Sequence, residues 1–338
     1  MKFDWELKEA AFKVINDMCN LKKGEYLLIY GDTSVDEDVL FALAEAGHVL
    51  GGEVGVYLYR TREEVGLEPP PPLREAMKAS DVIIELAEKY LIHTKAYHDA
   101  LEAGSRNLCL TGMDKEMLKR CVGKIPYRKM VEFGDALMNL LSKKNQMRIT
   151  TPGGTDLISE IGGRSFFHNS GIIKSPGEQS FLGGQISWAP IEESINGTMV
   201  FDGAVWPPDE LGLLHEPIVM KVERGRVISI EGGKEAIIFK KWLESFNDPN
   251  MFMIAHFSYG FNPGARLTGK ILEDERIFGG IEIGLGSQRP RFNGKVGRAK
   301  AHTDGIMLNP TVEVDGEIIE KDGEFLHPEL KKFNLKEA

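Results

Sequence analysis

The chain has 338 residues, 42% of them hydrophobic and 27% charged, with a formal net charge of −10. That length exceeds one ordinary core, so two domains are expected. Acids are spread along the chain and no basic block exists, which argues against nucleic acid or an anionic membrane surface as a partner. The longest apolar runs, YLLIY (26–30) and DVIIELA (81–87), have strand length and fall well short of a membrane span. Acids within the helical pattern of MKFDWELKEAAFKVI speak against a signal peptide. Cys19, Cys109 and Cys121 form no CxxC pair and no even set, so a reducing cytoplasm is expected and cysteine ligands are not.

Residues 1–145 read as alternating helix and strand. An amphipathic helix covers about 5–20, and KGEYLLIYGD (23–32) is a strand ending in a Gly-Asp turn. VDEDVLFALAEAGHVLG follows as a helix stopped by Gly51 and Gly52, and EVGVYLYR (53–60) is the next strand. EPPPPL (68–73) reads as a rigid connector, barred from helix and central strand alike. REAMKAS is then helical, DVIIELA a buried strand, HTKAYHDALEAG a helix and RNLCLTG a strand. Apolar strands alternating with helices predict a doubly wound parallel sheet. The turn after the first strand, YGDTSVDED, carries neither GxGxxG nor GxxxxGK[ST], so no nucleotide cofactor is expected.

From about residue 148 the texture changes to short alternating strands and glycine-rich turns, interrupted by one clear amphipathic helix, EAIIFKKWLESFN (235–247). The second domain, 146–338, is therefore expected to be mostly antiparallel β with one or two helices, the boundary falling within SKKNQMR (142–148).

The last third holds the chemistry. His256 lies in AHFSYGFNPGAR (255–266), Glu282 in GGIEIGLGSQ (279–288), and His302 and Asp304 in AHTDG (301–305). Taken alone, a histidine on an apolar strand is usually a hydrogen-bonded core residue, and an H-x-D pair often only fixes a tautomer. Residues i and i+2 of a strand share a face, however, so His302 and Asp304 can reach one ion. A buried glutamate such as Glu282 needs a metal, a proton or a cation beside it. Together the four predict a site for a divalent transition metal. His93 precedes a helix after an apolar strand, where open α/β sheets commonly line a ligand crevice, although a helix-terminal role is equally expected. His168, in RSFFHNSG, reads as a packing or loop residue, while Arg289 and Arg291 in SQRPRFNG suit an anionic substrate or plain solvent.

The segments HTKAYHDALEAGSR, GGTDLISEIGGR, ESINGTMVFDG, ESFNDPNMFMIAHFSYGFNPGAR and AHTDG occur in this order. They resemble the superfamily of the thermophilic-type metalloaminopeptidases (aminopeptidases T and S) and 2,5-dihydroxypyridine 5,6-dioxygenase. FNDP with a histidine seven residues after its proline, then GxxPxA, looks closest to the dioxygenase branch. The resemblance implies an N-terminal α/β domain, a β-rich C-terminal domain and one non-haem Fe(II) that opens a pyridine ring with O₂. The dioxygenase's iron-binding histidine falls on His256, its aspartate on Asp304 and the neighbouring histidine on His302, while its N-terminal histidine matches His93. Its iron-binding serine falls on Gly284, leaving Ser287 or Glu282 as substitutes. Near its Pro-Gly turn the closest acid is Glu178. The aminopeptidases' first metal glutamate falls on Gln185, a poor ligand, which disfavours a second metal.

These readings converge on a cytoplasmic homo-oligomer acting on a small molecule, with one metal on His256, His302 and Asp304. Fe(II) is favoured, with Zn²⁺ and Mn²⁺ as alternatives. Glu282 is the expected fourth ligand or base, His93 a further catalytic group, and Gln185, Glu178, Ser287 and Arg289 substrate contacts. The rival enzyme is an aminopeptidase-like or amide metallohydrolase in which Zn²⁺ activates water, and the non-enzyme rival is a silent scaffold of the same fold.

Overall fold

Apolar strands organise the first half of the chain. A computed structural model describes residues 4–337. Tyr26–Asp32, Glu53–Tyr59, Val82–Glu85 and Arg106–Cys109 pair in parallel, with Tyr26–Asp32 lying between the second and the third. Tyr26–Asp32 is buried beyond its first residue, and Val82–Glu85 and Arg106–Cys109 are buried throughout, as strands covered on both faces must be. The helices Glu37–Val49, Pro71–Ala79 and Lys95–Glu102 make the crossovers. Asp36 caps the first by accepting the Asp38 N–H, and Thr94 caps the third by accepting the Tyr97 N–H. Leu28, Tyr30, Leu73, Met77, Ile83 and Tyr97 meet in the core beneath them.

Two details differ from the sequence expectation. Pro71 and Pro72 open a helix instead of barring one, because the first turn has no partner for its N–H groups and loses nothing to proline. The strand Gln179–Phe181, from the glycine-rich region after residue 148, pairs in parallel with Arg106–Cys109 and completes a five-stranded sheet. The chain accordingly divides into two units. One takes in the residues up to Tyr127 together with Asn169–Gly183, and the other takes in Arg128–His168 and the chain from Gly184 onward.

Among the described residues the second unit is built on two antiparallel sheets, of eight and seven strands. In the eight-stranded sheet, Gln146–Thr150 and Asp156–Glu160 form a hairpin whose residues alternate exposed and buried. The helix Lys234–Ser245 buries Ala236, Phe239 and Leu243, with the Phe239 ring 6.3 Å from that of Phe201. From the helix Tyr127–Leu141, Phe133 packs on Phe261 at 5.3 Å and Phe325 at 4.9 Å. Gly134 permits that approach, since a Cβ there would lie 2.4 Å from the His168 ring and 2.7 Å from Phe261. Among the described residues no helix is long and apolar enough to cross a membrane.

Candidate metal centre

Four neighbouring strands of the seven-stranded sheet carry the site: Gln185–Trp188, Ile254–Gly260, Gly280–Gly286 and His302–Met307, with Ile254–Gly260 and Gly280–Gly286 in the middle. The sequence GIEIGLG sends Ile281, Ile283 and Leu285 to one face and Gly280, Glu282, Gly284 and Gly286 to the other. By the same alternation His256, Ser258 and Gly260 share a face on their strand, as do His302 and Asp304 on theirs. The register places Gly284 directly between His256 and Asp304, and Glu282 opposite Ser258. A polar face thus forms across four strands whose opposite faces are apolar.

The side chains converge there. His302 Nε2 lies 2.9 Å from Asp304 Oδ1, and His256 Nε2 lies 3.7 Å from the same oxygen and 2.8 Å from Glu282 Oε1. One donor atom from each of His256, His302 and Asp304 falls within 4.8 Å of the others. The imidazoles stack with centroids 5.1 Å apart and an interplanar angle of 11°. Phe292 stacks on the outer face of His256 at 5.3 Å and 11°, which holds that ring in place. Gly284 makes the stack possible, because a Cβ there would lie 2.5 Å from His256 Nδ1 and 2.8 Å from His302 Cε1.

Electrostatics divide the cluster into neutral and charged partners. Burial pushes the His256 imidazole down to about 3, against the pull of Asp304. Burial also opposes a charge on His302, but the Asp304 carboxylate outweighs it and the imidazole is raised. For Asp304 burial works upward, and the two imidazoles more than reverse it, so the carboxyl sits well below its ordinary value. Burial first, then Asp304 and Glu275, raise Glu282 well above the usual carboxylate range. Glu282 Oε2 accepts a hydrogen bond from Gln185 at 3.1 Å, whereas Oε1 is buried with no donor aligned on it. His302 Nδ1 is likewise buried without one. Two imidazoles, an ionised carboxylate and an unsatisfied buried oxygen fit a divalent transition metal.

Of the other expected residues, Gln185 reaches this face through Glu282. Ser287 follows the Glu282 strand, its N–H donating to Ala301 O. Arg289 leads into the short turn Pro290–Phe292. Arg291 sits over Phe167 at 4.9 Å and over Phe292 at 5.4 Å. Gln288 anchors this segment by donating to Ala255 O at 2.8 Å, next to His256. Glu178 and His93 belong to the other unit. Glu178 accepts the N–H groups of Lys174 and Ser175, at 2.5 and 2.7 Å, and these bonds outweigh partial burial to hold its carboxyl below the usual range. His93 is exposed in the turn before Thr94, its ring edge-on to Tyr90 at 5.9 Å. Sequence reasoning missed Phe292, Glu275 and Arg276. An aromatic two residues beyond Pro290 gave no hint of stacking, and the run EDER reads as a solvated turn.

On these antiparallel strands, in a chain that also carries a parallel α/β sheet, two histidines and one carboxylate could hold a metal ion. The chain belongs to the NicX family, 2,5-dihydroxypyridine 5,6-dioxygenase, whose model matches residues 8–327. It is 25% identical over 267 residues to the 2,5-dihydroxypyridine 5,6-dioxygenase of Pseudomonas putida KT2440, covering 76% of this chain and 74% of that one. The solved structure of 2,5-dihydroxypyridine dioxygenase from Pseudomonas putida KT2440 superposes with a TM-score of 0.77 at 20% identity, over 96% of this chain and 98% of that one. Wild-type AmpT from Thermus thermophilus superposes with a TM-score of 0.67 at 16% identity, over 95% and 99%. Both solved structures share the fold.

Proposed function

We propose that this protein is a mononuclear Fe(II)-dependent dioxygenase that opens the ring of a hydroxylated pyridine or a related aromatic. The observation that carries the reading is the convergence of His256, His302 and Asp304 within 4.8 Å, in a chain of the dioxygenase family. Fe(II) held by these three residues would supply the redox chemistry that lets O₂ react with an electron-rich ring. The chain's own part is to bind, orient and move protons. Asp304 stays ionised beside His302, so one carboxylate charge balances the cation. The Phe292–His256–His302 stack restrains the imidazole planes. Glu282 Oε1, 2.8 Å from His256 Nε2, is the carboxyl oxygen next to the cluster, and it would join the donor set once the proton favoured by burial and by Asp304 leaves it.

The test is elemental analysis of anaerobically purified protein, followed by O₂ uptake with hydroxypyridines and, in parallel, hydrolysis of small amides and dipeptides. One equivalent of iron with substrate-dependent O₂ consumption is the expected result. Zinc with amide hydrolysis and no O₂ uptake would replace this reading with the metallohydrolase, and a protein that retains no metal would leave only the scaffold.

A further inference from the structure

Glu282 is held from behind by side chains outside the donor cluster. Gly260 opens the way, because the position of its absent Cβ is taken by the backbone of Glu275–Ile277, with Ile277 O 2.4 Å away. This brings Glu275 and Arg276 close to the polar face. Gly260 pairs with Gln185 on one side and with Gly280 on the other, so no side chain intervenes between the Gln185 strand and the Glu282 strand. Gln185 Nε2 donates to Glu282 Oε2 and to Glu275 Oε2, each at 3.1 Å. An amide has two N–H donors, and both are committed to carboxylates here. Arg276, 1% exposed, donates to Glu275 Oε2 at 3.0 Å and to Leu272 O at 2.7 Å. The line therefore runs from a buried guanidinium through a carboxylate and an amide to Glu282, whose other oxygen faces His256.

We propose that Gln185, held by Glu275 and Arg276, is a positioning residue that fixes Glu282 against His256, so that Glu282 completes the donor set where Gly284 offers no side chain. The proposal rests on the reading of His256, His302 and Asp304 as a metal site. Outer groups that orient a ligand typically change metal affinity 10- to 100-fold when removed. In this line Gln185 meets the cluster at Glu282, so the contribution tested is the one that passes through Glu282.

The probe is Co(II), titrated into the metal-free full-length protein against a chromophoric chelator, with the visible absorption of the bound ion recorded. Gln185→Leu and Glu282→Gln are each expected to weaken Co(II) binding about 10- to 100-fold and to change the spectrum alike. The double variant should bind no more weakly than the worse single one, because the two side chains act as one unit. Gln185→Asn keeps an amide but is one methylene too short to span both carboxylates, and it should reproduce the Leu result if that variant fails to fold. Losses that multiply in the double variant, or unchanged affinity and spectrum in Gln185→Asn, would overturn the positioning role. A wild-type protein that takes up no Co(II) would instead overturn the metal site itself.

Discussion

Both units bury carboxyl groups at the core of a sheet, and the company those groups keep separates scaffolding from chemistry. In the α/β unit, Asp32 and Glu85 stand at the carboxyl ends of adjacent parallel strands, where backbone N–H groups and neutral side chains, with no imidazole among them, are their partners. Asp32 accepts the N–H groups of Ser34 and Glu88, at 3.0 and 3.1 Å, and Glu85 accepts that of Leu91 at 2.6 Å. These bonds fasten the loops that lead into the next helices. In the β-rich unit, Asp304 and Glu282 lie within 4 Å of the imidazole nitrogens of His256 and His302. A carboxyl bonded to backbone holds a loop in shape, whereas carboxyls and imidazoles turned toward one another make a donor set. Burial alone does not mark a functional acid.

The sharpest way to break this contrast is to remove a donor. His256→Ala or Asp304→Ala should leave the far-UV spectrum intact and reduce bound metal to background after dialysis, as read by elemental analysis. The fold survives because the strands' opposite faces, with Phe257, Ile281, Ile283 and Leu285, supply the apolar burial. Full metal occupancy in His256→Ala would remove this cluster from consideration.

A glycine in each unit makes the second comparison. At Gly284 a Cβ would come 2.3 Å from the His256 ring, while at Gly55, on the strand Glu53–Tyr59, the nearest atom would be Leu27 O at 4.0 Å. Gly284→Ala is expected to cost about 1–3 kcal/mol by overpacking and to lower metal affinity by displacing both imidazoles. Gly55→Ala should be neutral or slightly stabilising, because it restricts the unfolded chain at no steric cost. Urea denaturation of both variants, with metal titration of the first, checks the pair. Equal stability for the two would mean that the stacked rings move aside freely.

Two acids of like burial allow the same contrast in kinetics and in pH. Glu282→Gln keeps the strand's shape and should depress turnover by about 10², whereas Glu85→Gln should leave turnover unchanged. Burial raises Glu85 from its ordinary 4.5 to about 7. Between those values the native state holds a proton that the unfolded chain has released, so stability falls as pH rises from 4.5 to 7 and is level above that. The loss attributable to Glu85 amounts to roughly 3 kcal/mol across the window. In Glu85→Gln this contribution should be gone, so the wild-type and variant denaturation midpoints should diverge less at pH 5 than at pH 8. A constant difference between them at both pH values would show that Glu85 is ionised in the folded protein.

How much of this was legible beforehand follows from the range of each signal. Period-two alternation is local, so GIEIGLG disclosed a strand with one polar side chain, and HTD disclosed a pair sharing a face. Strand pairing is not local. Nothing near Gly284 indicates that it will lie between His256 and Asp304, or that Gln185 will reach Glu282 across Gly260. The three-residue strand Gln179–Phe181 was hidden for the same reason, since its partner Arg106–Cys109 lies far upstream in the sequence. Pro71 and Pro72 misled because a rule for helix interiors was applied to a helix start.

The smallest expected effect again sets the units against each other, now with opposite sign. His168 packs its ring against Gly134 and Phe261 in the β-rich unit, with Nδ1 2.8 Å from Asp135 and Nε2 buried without a hydrogen-bond partner. Burial lowers the imidazole below its ordinary 6.5, and Asp135 offsets this only in part. As pH falls through 6.5 the unfolded chain takes up a proton that the native imidazole refuses, so the stability this residue contributes is present above that pH and is lost on acidification. Glu85 gains stability in the direction in which His168 loses it. His168→Gln should abolish the acid-side loss while leaving the slope due to Glu85 untouched, and Asp135→Asn should deepen the loss by removing the one partner that favours the charged ring. Denaturation midpoints measured between pH 5 and 8 for the three proteins decide the matter. An acid-side slope that survives in His168→Gln would assign it to another group.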